Sequence, residues 1–246
     1  MWPLTPRRRF GWHPDPEDPR DRLLALRSAS APTAASLSHP AVAARDQGST
    51  GSCVGFAVAQ GAELAYARQG VMTGDLSPLF TYALSRATHG EAFVDGGTYV
   101  RAAIKSAARF GFASEASHPF RLGTQRAPGL RAFRDAYDRR GLRSYYRIDP
   151  ADLNLVRLAI AAGFPVVGGW RVDRAFMSYD GSGILPAREG DVLGGHAMVV
   201  VGYDSQSFRL LNSWSTRWGA GGYAVVSPEW LAQGHDFWAL DVRGTP

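Results

Sequence analysis

The most informative segment of the chain reads Gln47-Gly48-Ser49-Thr50-Gly51-Ser52-Cys53-Val54-Gly55-Phe56-Ala57, and it contains the only cysteine. An apolar segment with helical spacing follows at once, and Gly70 is placed to end it, so we predict a helix from Cys53 to about Gln69. A thiol at the start of a helix lies at the positive end of the helix dipole, which favours the thiolate. Cys53 is therefore a candidate nucleophile.

Length and composition limit the class of protein. The chain has 246 residues, of which 45% are apolar, enough for one large domain or two small lobes. It contains no apolar run of about 18 residues, so we expect no membrane-spanning helix and no membrane partner. Arg7–Arg9 are not followed by an apolar segment, which argues against a signal peptide. A single cysteine argues against a disulfide-built secreted protein, so we predict a cytoplasmic location, with export by another route as the alternative.

Charge and ligand spacing argue against several other functions. The net charge is +5, but the arginines are spread along the chain and cluster only at Arg7–Arg9, so we expect no nucleic-acid partner. Lys105 is the only lysine and does not end a glycine-rich loop, which argues against a phosphate-binding loop. One cysteine and six scattered histidines show no metal-ligand spacing, so we predict neither a metal nor a cofactor. The sequence does not indicate an oligomeric state.

The chain changes character near its middle. We predict an extended N-terminal segment over residues 1–45, a helical lobe over 46–143 and a β-rich lobe over 144–246. The helices predicted for the helical lobe cover residues 53–69, 77–86 and 130–140, with another between Thr98 and Gly111. In the β-rich lobe a helix over 149–162 is followed by strands, predicted at residues 164–172, 196–203, 208–212, 222–226 and 237–242. Helices segregated from strands indicate an α+β architecture with two lobes.

Three segments carry the candidate chemistry. They are residues 47–53, 194–204 and 211–223. Taken alone, His196 at the start of an apolar run is typical of a structural histidine, and Asn212 is typical of a turn. The function is therefore predicted from their combination with Cys53.

These segments resemble those of the papain-like cysteine peptidases (family C1). That family has a glutamine six residues before the catalytic cysteine, as Gln47 is here, and Gly-Ser-Cys before the nucleophile helix. Its histidine begins a strand ending in Gly-Tyr, as His196 does. Its Asn-Ser-Trp block, followed by Trp-Gly and Gly-Tyr, matches residues 212–223. The resemblance implies a papain-like fold, in which a helical lobe with the cysteine helix and a β-barrel-like lobe enclose the active-site cleft.

The resemblance also implies roles for individual residues. Cys53 would attack the scissile carbonyl carbon, His196 would pair with the thiol and protonate the leaving amine, and Asn212 would orient the imidazole. Gln47 would direct its amide at the developing oxyanion. The substrate would be a peptide or protein in extended conformation. The implied substrate contacts come from residues of both lobes, namely Gly96, Gly97, Gly195, Ala197, Trp214 and Trp218, with Ala197 in the S2 pocket and the tryptophans near the primed side.

Some positions depart from the family pattern. Thr50 stands where many relatives have a disulfide-forming cysteine, which suggests a bacterial-type member that works without disulfides. Gly195 stands where an Asp or Asn often precedes the histidine, so the pH profile is expected to differ. The sequence before Gln47 is rich in Pro, Ser and Ala, and we expect no long helical propeptide. Control of activity would then come from elsewhere, or the chain would be a processed product.

The leading interpretation is a cysteine endopeptidase that uses a Cys-His-Asn triad and a thioester intermediate. One alternative keeps the thioester but passes the acyl group to an amine, or makes a single maturation cut. Another is an inactive peptide-binding scaffold, although scaffolds of this kind usually lack the cysteine or the histidine. Since Gln47, Cys53, His196 and Asn212 are all present, we favour the active enzyme.

Overall fold

The computed structural model describes residues 8–26, 30–91, 94–121, 126–139 and 141–242. Parts of the predicted segments, namely residues 1–7, 27–29, 92–93, 122–125, 140 and 243–246, lie outside this description. Along the described chain, no helix combines the length and the apolar composition needed to cross a bilayer.

Helices dominate the first half of the chain. They are α1 (Cys53–Arg68), α2 (Pro78–Ala87), α3 (Val100–Phe110) and α4 (Leu130–Arg139). Almost every residue of α1 is buried, because its small side chains let neighbouring elements approach closely. A Cβ atom at Gly55 would lie 2.4 Å from the carbonyl oxygen of Pro78, so only glycine permits this crossing of α1 and α2. Helix α1 is thereby enclosed by the rest of the molecule.

Strands dominate the second half, together with three shorter helices. The strands are β4 (Leu142–Ile148), β5 (Val166–Val172), β6 (Gly194–Tyr203), β7 (Phe208–Leu211), β8 (Tyr223–Val226) and β9 (His235–Val242). The helices are α5 (Leu153–Ala161), α6 (Arg174–Met177) and α7 (Pro228–Ala232). The strands pair in antiparallel fashion in the order β4-β9-β5-β6-β7-β8.

Three two-residue strands belong to the first half. They are β1 (Trp12–His13), β2 (Ala35–Ser36) and β3 (Thr98–Tyr99). β2 pairs with β6 and extends the large sheet, whereas β1 pairs with β3 in parallel and forms a sheet of its own. The segment 12–13 therefore lies beside the residues that follow Gly96 and Gly97.

The two faces of the large sheet contact two different hydrophobic clusters. Val167 and Val199 pack with α1, whereas their neighbours Val166 and Val200 pack on the opposite face with α5. This division follows from the alternation of side chains along a strand. Both faces of the large sheet are thus covered, and α1 packs against β6, the strand that carries His196.

The α+β architecture predicted from the sequence is confirmed, with differences at some boundaries. β4 was not predicted. The helix predicted to open at Asp149 begins at Leu153, because Asp152 is the residue whose carboxylate caps it, at 2.9 Å from the Leu155 N–H. Asp149 instead accepts the Ala151 N–H at 2.9 Å in the preceding turn. β6 and β9 each begin two residues earlier than predicted, at Gly194 and His235.

Candidate active site

The structure brings the candidate catalytic residues together at the junction of α1 and the large sheet. Cys53 is the first residue of α1, and His196 lies on β6. Asn212 follows β7, and its Oδ1 lies 2.7 Å from His196 Nε2. Trp214 stacks on the imidazole with 4.5 Å between ring centroids and covers this hydrogen bond. All four side chains are almost completely buried.

The hydrogen bonds of Asn212 fix the tautomer of His196. Asn212 Oδ1 also accepts a hydrogen bond from the Ser213 N–H at 2.7 Å, which identifies this atom of the amide as the oxygen. His196 must therefore donate through Nε2–H. In the neutral imidazole, Nδ1 is then an acceptor, and it has no hydrogen-bond partner in the described part of the chain. Nδ1 is the nitrogen left to receive a proton from a thiol.

The amide of Gln47 is oriented by its neighbours. Its Oε1 accepts the Ser213 hydroxyl at 2.7 Å. Its Nε2 donates to the Thr50 carbonyl at 2.7 Å and to the Arg9 carbonyl at 3.1 Å. The Gln47 backbone N–H also donates to the Ser213 carbonyl at 2.9 Å, which joins the loop before Cys53 to the segment after Asn212. The amide NH₂ group is thereby directed at a peptide carbonyl.

Asp95, to which the sequence analysis assigned no role, supports the loop before Cys53. Its carboxylate accepts the Gly51 N–H at 3.0 Å and the Tyr82 hydroxyl at 2.7 Å. Tyr82 OH in turn accepts the Gly97 N–H at 3.0 Å. Asp95 and Gly51 are 44 positions apart along the chain, so no local sequence pattern could reveal this contact.

An N-terminal segment that we term the strap (residues 8–13) crosses the site. The Gly11 N–H donates to the Gly195 carbonyl at 3.2 Å, and the Gly11 carbonyl accepts the Thr98 N–H at 2.8 Å. A Cβ atom at position 11 would lie 1.8 Å from the Gly51 carbonyl oxygen, so only glycine passes at this point. The strap therefore lies in the cleft as an extended peptide, and Cys53 is inaccessible to solvent.

Charged and aromatic contacts hold the strap at both ends. Arg8 pairs with Asp46 at 2.5 Å, and Arg9 pairs with Asp95 at 3.1 Å. The Phe10 ring packs edge-on against the rings of His196 and Trp214. Beyond the strap, Asp15 is buried, and its carboxylate accepts the backbone N–H of Arg101 and the indole N–H of Trp238, each at 3.0 Å. These contacts keep the cleft filled.

The strap occupies the site through its backbone. The Gly11 N–H is bound by the Gly195 carbonyl and the Gly11 carbonyl by the Thr98 N–H, while the Arg9 carbonyl accepts a hydrogen bond from Gln47 Nε2. The strap therefore blocks the site.

Burial decides the charge of Cys53 and His196 in this covered state. It raises the pKa of the Cys53 thiol to about 11, although backbone hydrogen bonds from Ala197 and Gly11 lower it by a smaller amount. Burial also lowers the pKa of His196 to about 4, against the opposing effect of Asn212, and the positive charge of Arg8 lowers it further. At neutral pH the covered site therefore holds a thiol and a neutral imidazole.

Five of the six predicted substrate-contact residues lie against the strap, although not all as expected. The Gly195 carbonyl binds Gly11, and the Gly96 carbonyl lies 2.7 Å from His13 Nε2. The Gly97 N–H is taken by Tyr82, so the neighbouring Thr98 N–H binds the strap backbone instead. Ala197 is buried in the same cluster as Trp12.

The two predicted tryptophans form the wall behind His196. Trp214 contacts Phe10 through its ring. Trp218 is one layer further out, edge-on to Trp214 at 5.2 Å, with its indole N–H bound by the Met177 carbonyl at 3.2 Å. Trp214 is thus the tryptophan that touches the peptide in the cleft.

Comparison with known proteins supports the sequence interpretation. The family model for papain family cysteine proteases matches residues 34–231. An uncharacterized peptidase C1-like protein of Acanthamoeba polyphaga mimivirus is 29% identical over 215 residues, covering 79% of this chain and 68% of the viral protein. Peptidase 1 of Dermatophagoides farinae is 30% identical over 188 residues, covering 73% of this chain and 55% of that protein. The chain thus spans about half the length of the mite protein.

Solved structures show the same fold. Xylellain, a cysteine protease from Xylella fastidiosa, superposes with a TM-score of 0.83 and 27% identity, covering 95% of this chain and 96% of xylellain. Bromelain from Ananas comosus, solved in complex with the inhibitor E64, has a TM-score of 0.70 at 20% identity and matches in fold alone. Because the family model covers most of the sequence and these structures cover nearly all of the fold, the chain belongs to the papain family of cysteine proteases.

Proposed function

We propose that the chain hydrolyses peptide bonds of extended substrates through Cys53, His196 and Asn212, with a thioester intermediate. The observation that carries this proposal is the His196–Asn212 hydrogen bond of 2.7 Å, which leaves Nδ1 without another partner near the start of the nucleophile helix. An extended backbone fits in the cleft, because β1, which is part of the strap, pairs with β3. Strand pairing is a general way to bind peptides independently of sequence.

The first half of the reaction forms the thioester. The Cys53 thiol gives its proton to His196 Nδ1, and the resulting thiolate attacks the carbonyl carbon of the substrate. The carbonyl oxygen gains the negative charge and accepts hydrogen bonds from Gln47 Nε2 and the Cys53 backbone N–H. The C–N bond then breaks, and the imidazolium passes its proton to the leaving amine.

The second half releases the acid. Water gives a proton to neutral His196 and attacks the thioester carbon through the same oxyanion arrangement. The C–S bond breaks, the thiolate takes the proton back from the imidazolium, and the carboxylic acid leaves. Asn212 holds the imidazole in one orientation throughout, and Trp214 keeps water from their hydrogen bond.

A substrate can enter only when the strap leaves the cleft. The strap backbone fills the space beside Cys53 and takes the Gln47 amide. Its departure would admit water, which lowers the cost of charging both Cys53 and His196. The covered structure is therefore a latent form, and activity depends on the fraction of molecules in which the strap is open.

Labelling with E-64 tests the proposed function. In the variant Trp12→Ala, in which the strap loses its most buried side chain, E-64 should add to Cys53, as located by mass spectrometry. Adding His196→Ala should abolish labelling at neutral pH, because the thiol then has no base. The proposal would be contradicted if Trp12→Ala were not labelled by E-64 and cleaved no peptide between pH 5 and 9. Products coupled to an added amine would show acyl transfer in place of hydrolysis.

Ser213→Ala should lower kcat about three- to tenfold with little change in KM. The Ser213 hydroxyl holds Gln47 Oε1 at 2.7 Å, and one hydrogen bond of this kind contributes about 0.5–1.5 kcal/mol. Without it, the Gln47 amide is free to rotate away from the oxyanion. Steady-state kinetics in the Trp12→Ala background would measure this effect, and Ser213→Thr, which keeps the hydroxyl, should recover most of kcat. An unchanged kcat in Ser213→Ala would show that the amide needs no such support.

A further inference from the structure

We propose that Asp95 and Tyr82 set the position of Cys53 relative to β3, the strand that pairs with a peptide in the cleft. The inference rests on the proposed peptidase activity and adds two positioning residues to it. Asp95 holds the loop before Cys53, and Tyr82 connects Asp95 to the backbone that leads into β3. Each of the two side chains acts through a backbone N–H group.

The Asp95 carboxylate holds the backbone two residues before Cys53. Its two oxygens lie 3.0 Å and 3.2 Å from the nitrogen of the Gly51 N–H. Gly51 is buried, and a buried N–H group needs an acceptor. Since the Cys53 N–H is a donor to the oxyanion, a shift of Gly51 would move both this donor and the sulfur. The carboxylate thereby controls the geometry of the attack.

The Tyr82 hydroxyl joins this carboxylate to the peptide-binding strand. It donates to Asp95 at 2.7 Å and accepts the Gly97 N–H at 3.0 Å. The next N–H along the chain, that of Thr98, binds the strap backbone at 2.8 Å and is the donor that a paired substrate would use. Burial raises the pKa of Tyr82, and Asp95 raises it further, so the hydroxyl stays protonated and keeps donating.

Tyr82 is itself fixed by the packing of α2 on α1. A Cβ atom at Gly55 would lie 2.8 Å from Tyr82 Cβ, so the two helices approach this closely only because position 55 has no side chain. The tyrosine is completely buried, and the Arg86 guanidinium lies over its ring, 4.9 Å from the centroid. The hydroxyl therefore has a fixed place relative to the helix that begins with Cys53.

The strap binds the other oxygen of the same carboxylate. Arg9 Nη1 lies 3.1 Å from Asp95 Oδ2, whereas the Tyr82 hydroxyl and the shorter contact with Gly51 both use Oδ1. In Asp95→Asn the amide oxygen can still accept from Gly51 and Tyr82, but the charge that pairs with Arg9 is lost. This substitution therefore separates the hydrogen bonds from the charge.

The test compares two substrates in the open Trp12→Ala background. One is an extended peptide that can pair with β3, and the other is the ester of a single blocked amino acid, which is too short to do so. Asp95→Ala should lower kcat/KM about ten- to a hundredfold on both, because Cys53 loses its alignment. Asp95→Asn should recover most of this loss. Tyr82→Phe should slow the peptide about tenfold more than the ester, because Gly97 loses its acceptor.

Two substitutions outside the cleft control for a general loss of stability. Asp241, on β9, resembles Asp95 because its buried carboxylate binds an exposed arginine and a hydroxyl group, those of Arg143 and Ser144. Tyr203→Phe removes a phenol hydrogen bond to a backbone carbonyl in the cluster on the α5 face of the large sheet. Asp241→Ala and Tyr203→Phe should leave kcat/KM per active site unchanged, with the competent sites counted by titration with E-64.

A second measurement requires no substrate. In the chain with the strap intact, Asp95→Asn should speed the alkylation of Cys53 by iodoacetamide about two- to fivefold, because the ion pair with the mostly exposed Arg9 is lost. Arg9→Ala should have a similar effect, and the two substitutions together should add little, because each breaks the same ion pair. Full additivity would show that the Asp95 charge does not act through Arg9.

The outcomes separate this inference from the proposed function. If Trp12→Ala cleaves the peptide and Asp95→Ala does not slow it, the inference is overturned and the proposed function stands. The same conclusion follows if Asp95→Asn is as slow as Asp95→Ala, or if Asp241→Ala loses as much. Should Asp95→Ala fail to fold, the ratio of peptide to ester rates in Tyr82→Phe decides alone. Both proposals are overturned if Trp12→Ala neither cleaves the peptide nor reacts with E-64.

Discussion

Trp12→Ala should raise the rate at which iodoacetamide alkylates Cys53 at pH 7 by about a hundredfold. The Trp12 side chain is almost fully buried, and truncating a buried tryptophan costs about 3–5 kcal/mol. Each 1.4 kcal/mol is a factor of about ten in an equilibrium constant, so the open form should become at least about a hundred times more populated. Alkylation reports this population because the covered sulfur is inaccessible.

The pH dependence of alkylation should change as well. In the covered state burial raises the pKa of the Cys53 thiol to about 11, so the sulfur is protonated at pH 7. A raised thiol pKa means that the reactive thiolate is formed only as pH rises towards that value. Alkylation of the chain with an intact strap, which reacts only through its rare open form, should therefore increase steadily into the alkaline range. In Trp12→Ala it should level off at a lower pH, because water then solvates the thiolate and His196 can take its proton.

A matched substitution separates release of the strap from general loss of stability. Leu24 is buried in the N-terminal segment but outside the cleft, in contact with the cluster on the other face of the sheet. Leu24→Ala should lower the melting temperature and leave the alkylation rate nearly unchanged. If both variants accelerated alkylation equally, the covering of Cys53 would reflect global unfolding, and the strap would have no specific role.

The catalytic candidates and the α+β fold could be predicted because short-range signals carry them. The Gly-Ser-Cys segment leads directly into α1, and the apolar run after His196 becomes β6. His196 lies on β6 and Asn212 directly follows β7, 16 positions later, so their contact follows from the antiparallel pairing of β6 and β7. Local sequence patterns and the order of the strands therefore suffice to predict that His196 and Asn212 lie in contact.

The strap could not be predicted because its contacts are long-range and involve residues without distinctive chemistry. Residues 8–13 show no apolar periodicity, and their backbone is held in place by hydrogen bonds with Thr98 and Gly195. The expectation that control of activity comes from something other than a long helical propeptide stays a prediction.

Gln47→Ala in the open Trp12→Ala background should lower kcat by about 10²–10³ and change KM little. A side-chain donor to an oxyanion is typically worth about 2.7–4 kcal/mol in the transition state and less in the ground state. The Gln47 amide is already oriented for this role, since Ser213 holds its oxygen and its NH₂ group binds a peptide carbonyl at 3.1 Å. Such an effect appears in kcat because the charge develops only after substrate has bound.

Two further variants show whether charge or packing causes the loss. Gln47→Glu keeps the size of the side chain but places a carboxylate where the oxyanion forms, so its kcat should fall at least as far as that of Gln47→Ala. Gln60→Ala removes a buried glutamine of α1 that donates to the Ala43 carbonyl at 3.0 Å, away from the cleft, and should lower stability but spare kcat. Active-site titration would normalise each rate to the competent fraction. If Gln47→Ala retained full kcat, the oxyanion would have to be held by backbone N–H groups alone, and the amide of Gln47 would serve only to bind the strap.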